Sequence, residues 1–172
     1  MPRKILGGLL IGIDHIGVCV DRMDTSMILW SELLGIDIAH CESVMPQKTE
    51  AAFLDPPDGG ATVELVCPLD GNVGLQRFLE KRGNGLHHLA FAVKDLPMAL
   101  GRLREAGVPL IDELPRQGAR GHKVAFLHPK AMNGTLVELV EWHPGTQRKK
   151  NKPTAWPESI TDPGIPIAKP GD

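Results

Sequence analysis

The stretch GNGLHHLAFAV, residues 83–93, sets two imidazoles side by side at the start of what reads as a strand entering a hydrophobic core. Successive side chains of a strand point to opposite faces, so His87 and His88 occupy different environments and at most one of them faces inward. The same pattern occurs earlier in the chain: IDHIGVCV at 13–20 is echoed by LHHLAFAV at 86–93, and TVELV at 62–66 by LVELV at 136–140. The echoes keep register, since His15 stands 49 residues before Glu64 and His88 stands 50 before Glu138. Order and spacing preserved together indicate one module duplicated within the chain.

Each copy reads as strand, amphipathic helix, then three strands. In the first, Asp24 or Thr25 is placed to cap a helix whose Met27, Trp30 and Leu34 share a face, and Gly35 to end it. In the second, Asp95 caps, Pro97 sits in the first turn, and Leu96, Leu100 and Leu103 line the buried face before Gly107. Strands are expected at 36–44, 49–55 and 61–68, and again at 108–114, 122–128 and 134–141, with VGLQRFLEKRG as a linking helix. The expected class is α+β: two tandem βαβββ modules pairing into a curved sheet around a cavity. One domain then spans 1–143, with module one at 10–68, a linker at 69–83 and module two at 84–143.

The remainder, 144–172, holds 6 of the 15 prolines and a basic cluster at Arg148, Lys149, Lys150 and Lys152. It reads as a solvated extension, or as an arm that packs on a neighbouring subunit through Trp156 and Ile165. Over the whole chain, 172 residues with 42% hydrophobic and 23% charged content suffice for one well-buried core. A net charge of −2 gives no basic field for nucleic acid or an anionic membrane, so the expected partner is a small molecule. Cys19, Cys41 and Cys67 lack the CxxC spacing of a structural zinc site and read as core thiols in a reducing compartment. The apolar run ILGGLLIGI at 5–13 is too short to span a bilayer, and a cytoplasmic protein is expected.

If the two modules share a cavity, equivalent inward residues converge there. His15, Glu64, His88 and Glu138 then form a mixed nitrogen and oxygen set suited to a divalent ion such as Co²⁺, Zn²⁺, Ni²⁺ or Mn²⁺. Glutamates within apolar strands are costly to bury, and a cation compensates them. Alternation puts Gly17 and Cys19 on the His15 face and Ala90 and Ala92 on the His88 face, leaving room beside the ligands. His87 falls on the opposite face in a structural or supporting role.

These segments resemble the vicinal-oxygen-chelate superfamily (glyoxalase, bleomycin-resistance and dioxygenase proteins), and within it the methylmalonyl-CoA epimerases. The resemblance spans about residues 13–142 and is carried by IDHIGVCV, LQRFLEKRGNGLHHLAFAVKDL and LPRQGARGHKVAFLHPKAMNGTLVELVE. It implies metal ligands at His15, Glu64, His88 and Glu138, with Glu138 also acting as an acid/base, a homodimer, and an acyl-CoA substrate. Epimerases often carry glutamine at the Glu64 position, whereas glyoxalase I proteins commonly carry glutamate. The family's P-E-x-G-V segment, whose glutamate is a catalytic base, corresponds here to MPQKTEAAF and places Gln47 at that position. An amide does not abstract a proton. Either Glu50 substitutes, or Glu42 reaches in, or the chemistry differs.

The resemblance implies α-proton abstraction between a thioester and a carboxylate, through a metal-stabilised enolate. The loop PRQGARGHK at 115–123 offers Arg116, Arg120 and Lys123 for carboxylate or phosphate contacts. A glyoxalase-type lyase using the same ligands is the alternative enzyme. A non-enzymatic drug-sequestering protein is disfavoured by retention of all four ligands and by an aromatic content of 4% with no tyrosine.

Overall fold

The computed structural model describes residues 4–57 and 59–144. Its elements run β1 (Leu10–Cys19), α1 (Met23–Leu34), β2 (Asp37–Val44), β3 (Thr49–Asp55), β4 (Thr62–Pro68), α2 (Val73–Arg82), β5 (Gly85–Val93), α3 (Leu96–Glu105), β6 (Arg116–Gln117), β7 (Lys123–Leu127) and β8 (Val137–Glu141). All eight strands form one sheet in the order β2-β3-β4-β1-β5-β8-β7-β6. The two modules meet where β1 pairs antiparallel with β5, and each first strand pairs parallel with the last strand of its own module. The fold of the described residues is α+β, a sheet curled into a half-barrel with three α-helices.

Two apolar clusters cover the outer face. Val18, Met23, Met27, Ala52, Leu54 and Leu65 pack α1 on module one. Leu96, Ala99, Leu100 and Leu103 of α3 pack on Ala125, Leu127 and Leu139 of module two. The inner face carries the polar groups. The two ends of the sheet are drawn together by polar contacts: Gln47 Nε2 donates to the Gln117 carbonyl at 2.9 Å, and the Arg120 N–H donates to Glu42 Oε1 at 2.6 Å. The linking helix α2 is fixed to the same rim by Asn72, which caps it by accepting from the Leu75 N–H and also donates to Thr49 Oγ1 and the Gln47 carbonyl.

Several expectations are corrected. Helix α1 starts at Met23 behind an extended Arg22, one turn position earlier than a cap at Asp24 or Thr25 allows, because Met23 is drawn into the apolar cluster. Gly35 ends the helix in the left-handed conformation at φ 64. Leu34 is 59% exposed and does not share the buried face of Met27. Asp95 caps α3, its side chain accepting from the Met98 N–H. The largest departure is 108–114, which forms no continuous strand: a single bridge joins Leu110 to Leu127, and pairing resumes only at Arg116 and Gln117. Pro109 and Pro115 interrupt the segment, and the Asp112 side chain accepts from the Phe126 N–H where a ladder carbonyl would otherwise stand. Cys19 and Cys67 are buried, but Cys41 is exposed on edge strand β2. The expected tail lies outside the described residues. No helix among the described residues is long and apolar enough to cross a membrane.

Candidate metal centre and active site

Each first strand delivers one imidazole to the inner face and each last strand one carboxylate. His15 (5% exposed), Glu64 (7%), His88 (6%) and Glu138 (5%) are all buried. Their tips converge: His15 Nε2 lies 3.1 Å from His88 Nε2, 3.1 Å from Glu64 Oε2 and 3.1 Å from Glu138 Oε2. His88 Nε2 lies 3.3 Å from Glu64 Oε2 and 3.6 Å from Glu138 Oε2. Ligands about 2.1 Å from one ion and at right angles to each other stand about 3 Å apart, so this spacing fits a single divalent cation. His15, His88 and Glu138 form a metal-capable group on their own, and Glu64 adds a fourth donor.

The electrostatics express the same requirement. Burial opposes a charge on His15, but Glu64, Asp14 and Glu138 together raise its pKa well above that of an ordinary histidine. Burial likewise opposes ionisation of Glu64, yet His15 and His88 hold its carboxyl well below the usual carboxylate range. Four electron-rich atoms crowded in a buried site attract positive charge, supplied by protons or by a metal ion.

A supporting layer orients both imidazoles. Asp14 Oδ2 accepts from His15 Nδ1 at 2.8 Å, while Trp142 Nε1 donates to Asp14 Oδ1 at 2.7 Å. With one proton held on Nδ1 by Asp14, the Nε2 proton is the one His15 would give up to present a lone pair to a cation at the centre. On the other side, His87 Nδ1 lies 3.0 Å from His88 Nδ1, and the His87 ring packs edge-on against Phe78 with centroids 5.0 Å apart. Burial first, and His88 second, push His87 down to about 4, so it stays neutral and can accept a proton bond from His88. His87 thus leaves the opposite face of its strand to touch a proposed ligand and to line the rim of the cavity. Gly17 makes room for a ring, since a Cβ there would fall inside the His88 imidazole.

The cavity over this centre has a volume of about 580 Å³. Phe53 and Phe126 flank the centre, paired in register with Glu64 and Glu138 and packed edge-on against His15 and His88. Both were missed from the sequence, although a signal existed. AAFLDP at 51–56 and VAFLHP at 124–129 repeat at the same 73-residue offset as the two histidines.

The remaining expected residues divide. Thr49, Ala51 and Phe53 line the cavity, so Glu50 between them lies on the other face of β3, where its charge adds to burial in raising the pKa of the Cys41 and Cys67 thiols. Strand alternation therefore removes Glu50 as a base. Gln47 lines the rim with its amide bound to the Gln117 carbonyl. Glu42 pairs with Ala51 on the cavity side and accepts from both the Arg120 N–H and His40 Nε2, the latter at 3.0 Å. Arg116 and Arg120 line the cavity, with guanidinium carbons 5.2 Å over Phe126 and 3.9 Å over Phe53. Lys123 does not: it precedes cavity-lining Val124 on β7 and points outward, 3.5 Å from Glu141.

Comparison with known proteins adds the following. A family profile for the Glyoxalase/Bleomycin resistance protein/Dioxygenase superfamily matches residues 14–126. "Uncharacterized protein YqjC" of Bacillus subtilis (strain 168) is 42% identical over 75% of this chain and 91% of its own. "Methylmalonyl-CoA epimerase, mitochondrial" of Dictyostelium discoideum is 32% identical over 80% of this chain and 83% of its own. The crystal structure of methylmalonyl-CoA epimerase from Mycobacterium tuberculosis superposes with a TM-score of 0.76 at 37% identity, covering 80% of this chain and 92% of that one.

Proposed function

The chain belongs to the glyoxalase/bleomycin resistance protein/dioxygenase superfamily and within it to the epimerase enzymes, and from that premise we propose that it interconverts the epimers of methylmalonyl-CoA or a closely related acyl-CoA in a metal-dependent reaction. The observation that carries this reading is the convergence of His15, Glu64, His88 and Glu138 under a cavity large enough for a branched acyl group.

His15, Glu64, His88 and Glu138 would hold a divalent cation, which when bound would supply the positive charge that acidifies the substrate's α-carbon. Cobalt, zinc, nickel and manganese all suit the donor set. Glu138 removes or returns the α-proton on one face. The opposite face is served by His40, on the cavity wall and hydrogen-bonded to Glu42, in place of the carboxylate that Gln47 does not provide. Phe53 and Phe126 exclude water from the reacting carbon, and the cavity arginines Arg116 and Arg120 hold anionic groups of the substrate. The enzyme acts as a cytoplasmic homodimer, in which a second copy covers the half-exposed Ile11 and Ile13 and the exposed Leu86.

The test is incubation of the Co²⁺-loaded protein with one epimer of methylmalonyl-CoA in D₂O, following both deuterium entry and epimer conversion. Metal-dependent exchange with inversion is expected, and His40→Gln should keep exchange while losing inversion. Absence of exchange in the loaded wild-type protein would overturn the epimerase reading; turnover of a glutathione hemithioacetal would then favour the lyase.

A further inference from the structure

We propose that Arg120 is the receptor for a substrate carboxylate and so makes this site select carboxyacyl over plain acyl thioesters, an inference that rests on the acyl-CoA reading above and narrows its substrate class. Arg120 lies in the single helical turn between β6 and β7 at φ 55 and ψ 21, a left-handed conformation that a side-chain-bearing residue enters only when its surroundings hold it there. Two contacts do so. Its N–H donates to Glu42 of the other module at 2.6 Å, and Gly118 seats the turn so closely on β7 that a Cβ would meet Val124 Cγ1 at 2.6 Å.

The strained turn aims the guanidinium into the cavity. Its carbon stacks 3.9 Å over Phe53, whose ring packs against His15 and whose strand partner is Glu64. The cation therefore stands one side chain away from the metal centre. Nη2 is buried without a hydrogen-bond partner, and it is the one such side-chain atom among the described residues. No carboxylate among the described residues lies within ion-pair distance of this guanidinium. Arg116, stacked on the duplicate Phe126, differs: its Nε is neutralised by Asp112 at 3.1 Å. A buried donor left unsatisfied is costly, and a planar guanidinium with a free edge matches the two oxygens of a carboxylate.

Binding to the metal-loaded protein tests the assignment, measured by calorimetry with methylmalonyl-CoA, propionyl-CoA and CoA on wild type, Arg120→Gln and Arg120→Gly. The glycine variant removes the side chain while easing the left-handed backbone, so it guards against misfolding of the first. Both variants should weaken methylmalonyl-CoA by about ten- to a hundredfold and change propionyl-CoA and CoA by less than about twofold. Equal loss for all three ligands would assign Arg120 to the phosphates of the CoA arm, and unchanged methylmalonyl-CoA affinity would leave it no ligand role; either result overturns the inference. If the wild-type protein binds no thioester, free methylmalonate becomes the probe. Affinity for it that depends on Arg120 would keep the carboxylate receptor while the epimerase reading falls, and affinity independent of Arg120 would end both.

Discussion

Asp14→Asn isolates the contact that orients His15, a proposed metal ligand. Both oxygens of Asp14 are acceptors in use, one for His15 Nδ1 at 2.8 Å and the other for Trp142 Nε1 at 2.7 Å. An amide offers one acceptor and one donor edge, and the indole N–H can only donate. If the amide oxygen stays on Trp142, its NH₂ faces His15 Nδ1, and the imidazole must move its proton to Nε2, the atom 3.1 Å from both glutamates. If the oxygen turns to His15, Trp142 is left donor to donor. The charge-assisted bond to His15 is lost on either path, a loss of about 1.5–3 kcal/mol. Removing an outer partner of a ligating histidine lowers metal affinity by about 10–100-fold.

The assay is competition for Co²⁺ against a chromophoric chelator, with the visible absorption of bound Co²⁺ reporting ligand geometry. Asp14→Asn should lose affinity within that range and shift the spectrum. Trp142→Phe, which leaves the carboxylate in place with one partner fewer, should lose less. An Asp14→Asn protein that folds as wild type and binds Co²⁺ with unchanged affinity and spectrum would refute the idea that this contact sets the tautomer of His15.

Gly17→Ala should destabilise the fold by about 1–3 kcal/mol in urea and abolish tight Co²⁺ binding, because the new methyl occupies the position of the His88 ring. Glu64→Gln should keep metal binding at reduced affinity, since the amide oxygen still ligates while one negative charge is gone; complete loss in a Co²⁺ titration would show that the charge is indispensable. His87 makes the metal-free protein acid-sensitive. Its pKa is pushed down to about 4 by burial, so the neutral form is favoured on folding; stability is full above about pH 6.5 and falls as pH drops from there toward 4. At pH 5 the loss is about 2 kcal/mol, and His87→Phe should flatten the difference between urea midpoints at pH 7 and pH 5.

The duplication was legible because a repeated strand carries its hydrophobic period, its ligand and its spacing together. The positions of His15, Glu64, His88 and Glu138 followed from it, and the structure brings their tips together. Contacts that cross between elements distant in the chain were illegible. Trp142 reaches Asp14 across 128 residues, and no local pattern announces that an indole N–H will complete a carboxylate. The failed strand at 108–114 shows the limit of propensity: Val108, Leu110 and Leu114 supply alternation, but two prolines and a side chain that substitutes for a ladder carbonyl decide the outcome. Glu50 was a different error. Parity along β3, read from Phe53, already places it on the outer face, and the 73-residue repeat of the phenylalanines would have supplied that reference.

A duplicated module builds a nearly symmetric set of candidate ligands, and inversion at a single carbon needs a proton-transfer group on each face of a bound substrate. The symmetry is broken at three places. A carboxylate backs His15, whereas a neutral imidazole backs His88. The module-one phenylalanine carries an arginine with an unpartnered nitrogen, while its duplicate carries one already paired with Asp112. The His40–Glu42 pair stands on edge strand β2, whereas the equivalent edge of module two is reduced to the two residues of β6. The third is that short edge itself, and the second stands beside it. Between β6 and β7 the chain forms the tight turn at Ala119–Gly121 that carries Arg120 across to Phe53 and ties it to Glu42. The turn beside that short edge thus gives the two sides of a nearly symmetric set of candidate ligands different groups to present to a substrate.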